Sequence, residues 1–223
     1  LRCDLAAYQP RTFALALTPP DAAEPVTRRR SEPLDLPWNV DGLAPHDDPT
    51  DGDLDGAGTT LPSEQVPASF VRDGVRFVTG PRERGAANLL RCAGQTLDLP
   101  DTDLEWVRLL ICAVDGSRRA HFDVGPVMGT ERWIPDGREF FGQWDSRLVG
   151  EDVVHEASDL VPGFVRRENV GWVFTHHHDE AGDDVPYAFT HFYAIDLRLA
   201  GAGITRAEAL PLPDDPALVI LAA

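Results

Sequence analysis

The sequence predicts an all-β protein, an antiparallel β-sandwich or jelly roll with few or no helices. Three observations indicate this class. Short apolar runs are separated by turn residues, one long segment has a two-residue apolar period, and no segment of helical length carries a 3.6-residue apolar period. The chain has 223 residues and a hydrophobic content of 43%, which suits one large core.

The first 30 residues predict a domain boundary. Residues 11–18, RTFALALT, have the composition of a strand, and residues 19–30, PPDAAEPVTRRR, have the proline and charge content of a linker. We therefore expect residues 1–18 to be a terminal strand of a preceding β-domain and residues 31–223 to form the sandwich. The chain starts at Leu1 and has its only methionine at Met128, which indicates a piece of a longer protein.

The strands predicted after the linker follow in order. They are VRFVT at 75–79, QTLDL at 95–99, EWVRLLICAV at 105–114, RAHFDVG at 119–125, VGWVFTH at 170–176, YAFTHFYAIDLRL at 187–199 and ALVILAA at 217–223. The dipeptide Asp115-Gly116 is typical of a β-hairpin turn between the third and fourth runs. Alternate residues from Tyr187 to Leu199 form an apolar face that we expect to be buried. This spacing favours a sandwich of the galactose-binding-like or a related type.

The charge balance excludes several kinds of partner and chemistry. The formal charge is −17, so binding to nucleic acid or to an anionic membrane would need a local basic patch. The basic cluster at residues 28–30 lies in the linker, where solvated charge is its usual role. All 20 basic residues are arginine, which excludes a phosphate-loop or Schiff-base lysine. No signal-peptide pattern occurs, and we expect a cytoplasmic protein with neither nucleic acid nor membrane as partner.

An acidic segment, DPTDGDLDGAGTT at residues 48–60, follows the predicted start of the sandwich. Asp51, Asp53 and Asp55 alternate and Gly56 follows, as in the first half of a calcium-binding loop. Pro62 stands at the twelfth position, where that loop has a bidentate glutamate. Three interpretations stay open: a calcium ion held by the three aspartates, a solvated loop, or a loop whose aspartates accept backbone hydrogen bonds and fix the fold.

Three consecutive histidines follow a predicted strand. If the strand continues, His176 and His178 share a face and could ligate zinc, whereas His177 points away. The alternative is a polar loop at the strand end. Candidate further ligands, which the sequence does not place, are His191, Asp179 and Glu180.

No catalytic residue and no cofactor site is predicted. The chain has no Gly-x-Ser-x-Gly elbow, and GAGITR at 201–206 departs from the dinucleotide-binding fingerprint at Arg206. Cys3, Cys92 and Cys112 are an odd and scattered set, which does not indicate a disulfide framework.

Two of the five tryptophans are candidates for sugar contact. Trp38 and Trp144 have polar, turn-like neighbours, and an exposed indole ring can stack on the C–H face of a pyranose. Asp41, Asp55 or Asp145 would then form hydrogen bonds with the sugar. Core packing is the alternative for each ring. The tryptophans that we expect in the core are Trp106 and Trp172.

Four stretches resemble the C-terminal region of bacterial and archaeal glycoside hydrolase family 38 proteins, the α-mannosidases and their relatives. They are AAYQPRTFALAL at 6–17, LDLPWNVDGLAPHDDPTDGDLDGAG at 34–58, REFFGQWDSRLV at 138–149 and THHHDEAGDDVPYAFTHFYAIDL at 175–197. The chain departs from the family at Trp38, where the family tends to have tyrosine. The resemblance implies a terminal accessory β-sandwich, with the zinc-bound catalytic domain of the parent protein far upstream.

The predicted function is that of a non-catalytic accessory domain of an α-mannosidase-like glycosidase, which packs against upstream domains of the same glycosidase or against another subunit. The first alternative is a carbohydrate-binding module with an aromatic platform and a structural calcium ion. The second is a free-standing enzyme or metal protein. Zinc is expected only in the upstream catalytic domain, and self-association into a homo-oligomer stays open.

Overall fold

A computed structural model shows a chain built mainly of β-strands. It describes residues 31–100, 105–124, 129–139, 168–199 and 208–223, together with the backbone of four short strands between residues 141 and 165. Within these residues the one helical element is a 3-10 turn, η1, at Ser63–Gln65, and no helix has the length and apolar character needed to span a membrane. The predicted all-β class is confirmed. The predictions for residues 1–30 lie outside the described residues.

Most of the strands are short. Their bounds are β1 Leu43–Ala44, β2 Leu61–Pro62, β3 Ser69–Arg72, β4 Val75–Val78, β5 Leu90–Arg91, β6 Thr96–Asp98, β7 Trp106–Ala113, β8 Arg118–Phe122, β9 Thr130–Ile134, β10 Phe141–Gly142, β11 Ser146–Val149, β12 Asp152–His155, β13 Phe164–Val165, β14 Val170–His178, β15 Asp184–Arg198, β16 Ala209–Pro211 and β17 Leu218–Ala222. In the part of the chain that the structure describes, these strands pair antiparallel except for β1 with β2.

A five-stranded sheet in the order β14–β15–β7–β17–β5 forms the centre of the molecule. β7 pairs with β15 on one side and with β17 on the other. Every residue of β17 is buried, as predicted for the run ALVILAA, because a strand covered on both faces reads as a continuous apolar segment. The remaining strands form two-stranded sheets.

Aromatic side chains from several strands meet in the core. Tyr193, Phe77, Phe122, Phe174 and Phe192 are the largest of the fully buried side chains. Phe174 of β14 and Phe192 of β15 pack edge to face with ring centroids 6.0 Å apart. Phe77 of β4 and Phe122 of β8 belong to the same cluster, so the β3–β4 and β8–β9 sheets are held on the central sheet by apolar burial.

The two-residue period of β15 is confirmed only in its second half. There Tyr193, Ile195 and Leu197 are buried and alternate with partly exposed residues. Tyr187, predicted on the buried face, is 84% exposed and has a φ of 62°. The pairing of β14 with β15 shifts register next to it, beyond Phe174, and this irregularity turns Tyr187 away from the core.

The hairpin predicted at Asp115-Gly116 is wrong. β7 and β8 do not pair, because β8 pairs with β9 and β7 lies inside the central sheet. The turn is held from outside: the Gly116 N–H donates to the Asp136 carboxylate at 2.9 Å, and the Asp136 N–H donates to the Ser117 hydroxyl at 3.0 Å. It therefore leads the chain out of the central sheet to a neighbouring one.

The two tryptophans expected in the core differ in environment. Trp172 is half-buried, and its ring packs on Phe70 with centroids 4.5 Å apart, beside the core cluster. Trp106 is 46% exposed, so the expectation for it is wrong. It begins β7 at the end of the central sheet, opposite Arg198, whose guanidinium carbon lies 5.6 Å from the indole centroid.

Candidate functional site

The acidic segment is organised around one carboxylate. The Oδ1 atom of Asp53 accepts hydrogen bonds from the backbone N–H groups of Asp55 at 3.1 Å, Gly56 at 2.7 Å and Gly58 at 3.1 Å. Gly56 and Gly58 have φ values of 86° and 76°, which glycine adopts without strain. These conformations turn successive amides toward the same oxygen, so the spacing of aspartate and glycine in this segment has a structural cause.

The other two aspartates of the segment have partners of their own. Asp51 accepts the Gly85 N–H at 2.8 Å, and Asp55 accepts the Ala57 N–H at 3.0 Å. A second oxygen of Asp55 pairs with the guanidinium of Arg138. Burial by itself would raise the pKa of Asp55, but the Ala57 amide and the Arg138 guanidinium outweigh it, and the pKa lies below its ordinary value.

These contacts favour the third interpretation of the segment, a loop that its own aspartates fix. A calcium ion at Asp51, Asp53 and Asp55 would have to displace backbone amides and an arginine from their oxygens. Among the described residues, the group with metal-like geometry lies elsewhere. The calcium site stays a prediction.

The sugar platform predicted around Trp38 is only partly available. The Trp38 ring is half-buried and packs against the core. The carboxylate of Asp41 accepts a hydrogen bond from the side-chain amide of Asn88 at 2.7 Å; burial raises the pKa of Asp41, and this bond opposes the rise. Asp41 therefore supports the fold of the segment. Trp144 and Asp145 lie outside the described residues.

The three histidines are strand residues, and the predicted alternation is correct. β14 continues through His178, whose backbone N–H and C=O both pair with Thr60, at 2.9 and 3.1 Å. In the pairing with β15, His176 lies opposite Pro186 and His178 lies opposite Asp184. His176 and His178 therefore share a face of the sheet, and His177 points to the other.

A carboxylate completes a cluster with these two histidines. Asp184 Oδ1 lies 2.8 Å from His178 Nδ1 and 3.8 Å from His176 Nε2. One potential ligand atom from each residue lies within 4.8 Å of the others. His178 is fully buried, and its Nε2 atom has no hydrogen-bond partner in the described part of the chain. We call His176, His178 and Asp184 the histidine cluster.

Asp184 was not among the further ligands expected from the sequence, which were His191, Asp179 and Glu180. Asp179 instead accepts two backbone amides of the turn between β14 and β15, at 2.9 and 3.0 Å, and Glu180 is exposed. His191 is bonded through Nδ1 to the Gly137 carbonyl at 3.1 Å; burial lowers its pKa, and this bond opposes the fall. The short turn between β14 and β15 could have identified Asp184, because it returns the chain so that Asp184 lies opposite His178.

His177 belongs to a second polar group on the opposite face of β14. Burial, together with the nearby positive charge of Arg138, lowers the pKa of His177. Its Nδ1 atom is buried without a hydrogen-bond partner among the described residues. Arg138 pairs with Asp55 of the acidic segment and acts on His177 through its charge, so the two faces of this strand end carry separate polar groups.

Comparison with known proteins identifies the fold. Residues 30–223 match the family described as the AziU2-like beta-sandwich domain, which confirms the predicted β-sandwich. No curated protein matches the chain. The resemblance to glycoside hydrolase family 38 stays a prediction.

Proposed function

The chain belongs to the family of AziU2-like beta-sandwich domains, and we propose that it serves as a non-catalytic accessory domain of an α-mannosidase-like glycosidase. In this role the sandwich packs against upstream domains of the same glycosidase or against another subunit. It supplies no group that reacts with the substrate.

The observation that carries this proposal is the internal use of the acidic segment. In a ligand site, a few polar groups of such a loop would face the ligand. Here Asp53 accepts three backbone amides, Asp55 is paired with Arg138, and Asp41 is bonded to Asn88. A loop held in this way is a rigid connection, which suits a domain that keeps a neighbour in place.

Two exposed tryptophans add support for a packing role. Trp106 of β7 and Trp133 of β9 are 46% and 44% exposed. Aromatic side chains are enriched in protein–protein interfaces because they bury a large area with few rotatable bonds. Contact with a neighbouring domain would cover either ring.

The test uses the longest reading frame that contains the chain, with and without residues 30–223, beside the isolated chain. We expect no hydrolysis of 4-nitrophenyl α-mannoside by the isolated chain. In the long protein, deletion of the domain should lower the melting temperature. Trp106→Ser and Trp133→Ser should lower the melting temperature of the long protein more than that of the isolated chain. Turnover by the isolated chain, or a reading frame without a glycosidase domain, would refute the proposal.

The carbohydrate-binding alternative predicts a different result from the same material. Titration of the isolated chain with mannose-containing oligosaccharides, followed by tryptophan fluorescence, should show no saturable binding at millimolar ligand. Saturable binding that Trp38→Ala abolishes would replace the accessory role with a sugar-binding one.

A further inference from the structure

We propose that His176, His178 and Asp184 form a binding site for one divalent transition-metal ion of the zinc type. The inference goes beyond the accessory role and does not depend on it. Two imidazoles and a carboxylate are a ligand set that Zn²⁺ accepts, and imidazole nitrogen favours transition metals over calcium or magnesium. Asp184 is half-exposed, which leaves a position for a water ligand.

The distances within the histidine cluster suit such an ion. Bond lengths of about 2.0–2.2 Å around a tetrahedral zinc ion place its ligand atoms about 3.3 Å apart. Asp184 Oδ1 lies 2.8 Å from His178 Nδ1 and 3.8 Å from His176 Nε2, so these two distances bracket this value, and one nitrogen of each imidazole lies within 4.8 Å of the other. Because the Asp184 carboxylate is half-exposed, a small rotation of its side chain can equalise them.

A metal ion at His178 Nδ1 would replace one hydrogen bond and move the imidazole proton to the other ring nitrogen. A neutral imidazole carries one N–H, and in His178 this hydrogen lies on Nδ1, where it donates to Asp184. The buried Nε2 atom has no hydrogen-bond partner among the described residues in either tautomer. Only the bond to Asp184 holds the proton on Nδ1, and an ion between Nδ1 and Oδ1 takes the place of that bond. The proton then lies on Nε2, which has no acceptor among the described residues, so His178 binds the ion without an outer hydrogen-bond partner.

Gln65 determines the state of the other histidine. The Thr175 N–H donates to Gln65 Oε1 at 2.8 Å, which fixes the orientation of the side-chain amide. Its Nε2 atom therefore donates to His176 Nδ1 at 2.9 Å, so the proton of neutral His176 lies on Nε2, the atom nearer Asp184. Coordination by Nε2 moves this proton to Nδ1, where it opposes the nearer group, the Gln65 amide N–H at 2.9 Å, and has the Thr175 hydroxyl oxygen at 3.3 Å as its acceptor.

The hydrogen bond from Gln65 to His176 should lower the affinity of the site for a metal ion. The free nitrogen of a metal-bound histidine normally donates to a carboxylate or a carbonyl, and loss of such a partner costs about 10- to 100-fold in metal affinity. A glutamate at position 65 keeps an oxygen for the Thr175 N–H and offers a second oxygen to His176 Nδ1. The substitution Gln65→Glu should therefore strengthen metal binding.

The experiment measures zinc binding by the chain purified without a histidine tag, in competition with a chromophoric chelator. We expect one Zn²⁺ per chain. His176→Gln and Asp184→Asn should each raise the dissociation constant at least about 10-fold, and Gln65→Glu should lower it about 10-fold. Both ligand substitutions are at partly exposed side chains, and a thermal melt of each metal-free variant checks that it is folded.

The matched control is His121→Gln. His121 is an exposed histidine whose Nε2 lies 3.5 Å from the Asp123 carboxylate, so it forms a pair of similar chemistry without a second imidazole. Its removal should leave the dissociation constant unchanged. The proposal is wrong if the wild-type chain binds no stoichiometric zinc at submillimolar concentration, or if His176→Gln and Asp184→Asn bind as the wild type does. An unchanged affinity in Gln65→Glu would contradict coordination by His176 Nε2.

Discussion

Substitution of Asp53 tests most directly which contacts hold the acidic segment in its conformation. Asp53→Ala removes the one oxygen that accepts the amides of Asp55, Gly56 and Gly58. The next residue in the chain, Leu54, is fully buried in the core. A change in the conformation of the turn at Asp53 therefore affects core packing directly. Loss of the carboxylate should therefore lower the free energy of unfolding of the whole sandwich.

The magnitude follows from the number and exposure of these bonds. A hydrogen bond to a charged group contributes about 1.5–3 kcal/mol when it is shielded from water. Asp53 is exposed, and water can solvate the three amides once the side chain is gone. A helix N-cap is the closest comparison, because it also presents one exposed side-chain oxygen to backbone amides, and its removal costs about 0.5–2 kcal/mol. With three amides involved, we expect Asp53→Ala to cost about 1–2 kcal/mol.

The assay is urea denaturation at pH 7, followed by tryptophan fluorescence. Asp53→Asn keeps an oxygen acceptor and should lose less than half of what the alanine variant loses. The matched control is Asp47→Ala, since Asp47 is an aspartate close in the chain whose carboxylate is largely exposed and pairs with Arg84 at 3.3 Å. An exposed ion pair of this kind contributes at most about 1 kcal/mol and commonly much less.

Equal destabilisation by Asp53→Ala and Asp47→Ala would refute the reasoning, because general loss of negative charge would then explain both. Calcium provides a second measurement. If the amides rather than an ion hold the segment, added calcium should leave the urea midpoint of the wild type unchanged. A midpoint that rises with calcium in the wild type but not in Asp53→Ala would show that the ion binds the folded state, since such a ligand must stabilise it.

Three further predictions concern buried groups. Asn88→Ala should cost about 2–4 kcal/mol in urea denaturation, because the buried amide bonds the Gly42 and Leu43 amides and the Asp41 carboxylate. Arg138→Gln should move acid unfolding to higher pH. The Asp55 carboxylate, whose pKa is lowered in the folded state, stabilises the fold above its unfolded pKa near 3.8, and this contribution is lost as pH falls through the lower folded pKa. The Cys92 thiol, whose pKa burial raises to about 12, should react with a thiol reagent only in denaturant; reaction in the native protein would contradict the buried placement.

The parts of the fold that could be predicted from the sequence are those set by local pattern. Every residue of β17 is apolar and buried, so its central position could be inferred from composition. The turn at Asp115-Gly116 is present, but the hairpin was wrongly predicted because a turn signal does not specify the direction in which the chain leaves it. That direction depends on Asp136, about 20 residues later, whose carboxylate holds the Gly116 amide. The burial of Trp106 was wrongly predicted because its exposure depends on where the central sheet ends, which the local sequence does not show.

In the candidate site, too, local features could be predicted from the sequence and long-range features could not. The face shared by His176 and His178 follows from strand alternation, which is a local property. Asp184 could not be assigned because its position opposite His178 depends on the length of the turn and on the register shift beyond Phe174. A change of one residue in that register would place Asp184 on the other face, with His177.

The acidic segment and the histidine cluster are linked through the backbone. Thr60, at the end of the segment, exchanges two backbone hydrogen bonds with His178. A Cβ atom built on Gly58 would lie 3.0 Å from the Cβ of Glu180, so the segment also packs closely against the turn that returns the chain to Asp184. Because the pairing with His178 uses main-chain atoms only, substitution of a cluster side chain leaves it intact. Loss of zinc binding in His176→Gln or Asp184→Asn therefore reports on coordination of the ion. Asp53→Ala reports instead on the acidic segment, whose backbone pairs with His178.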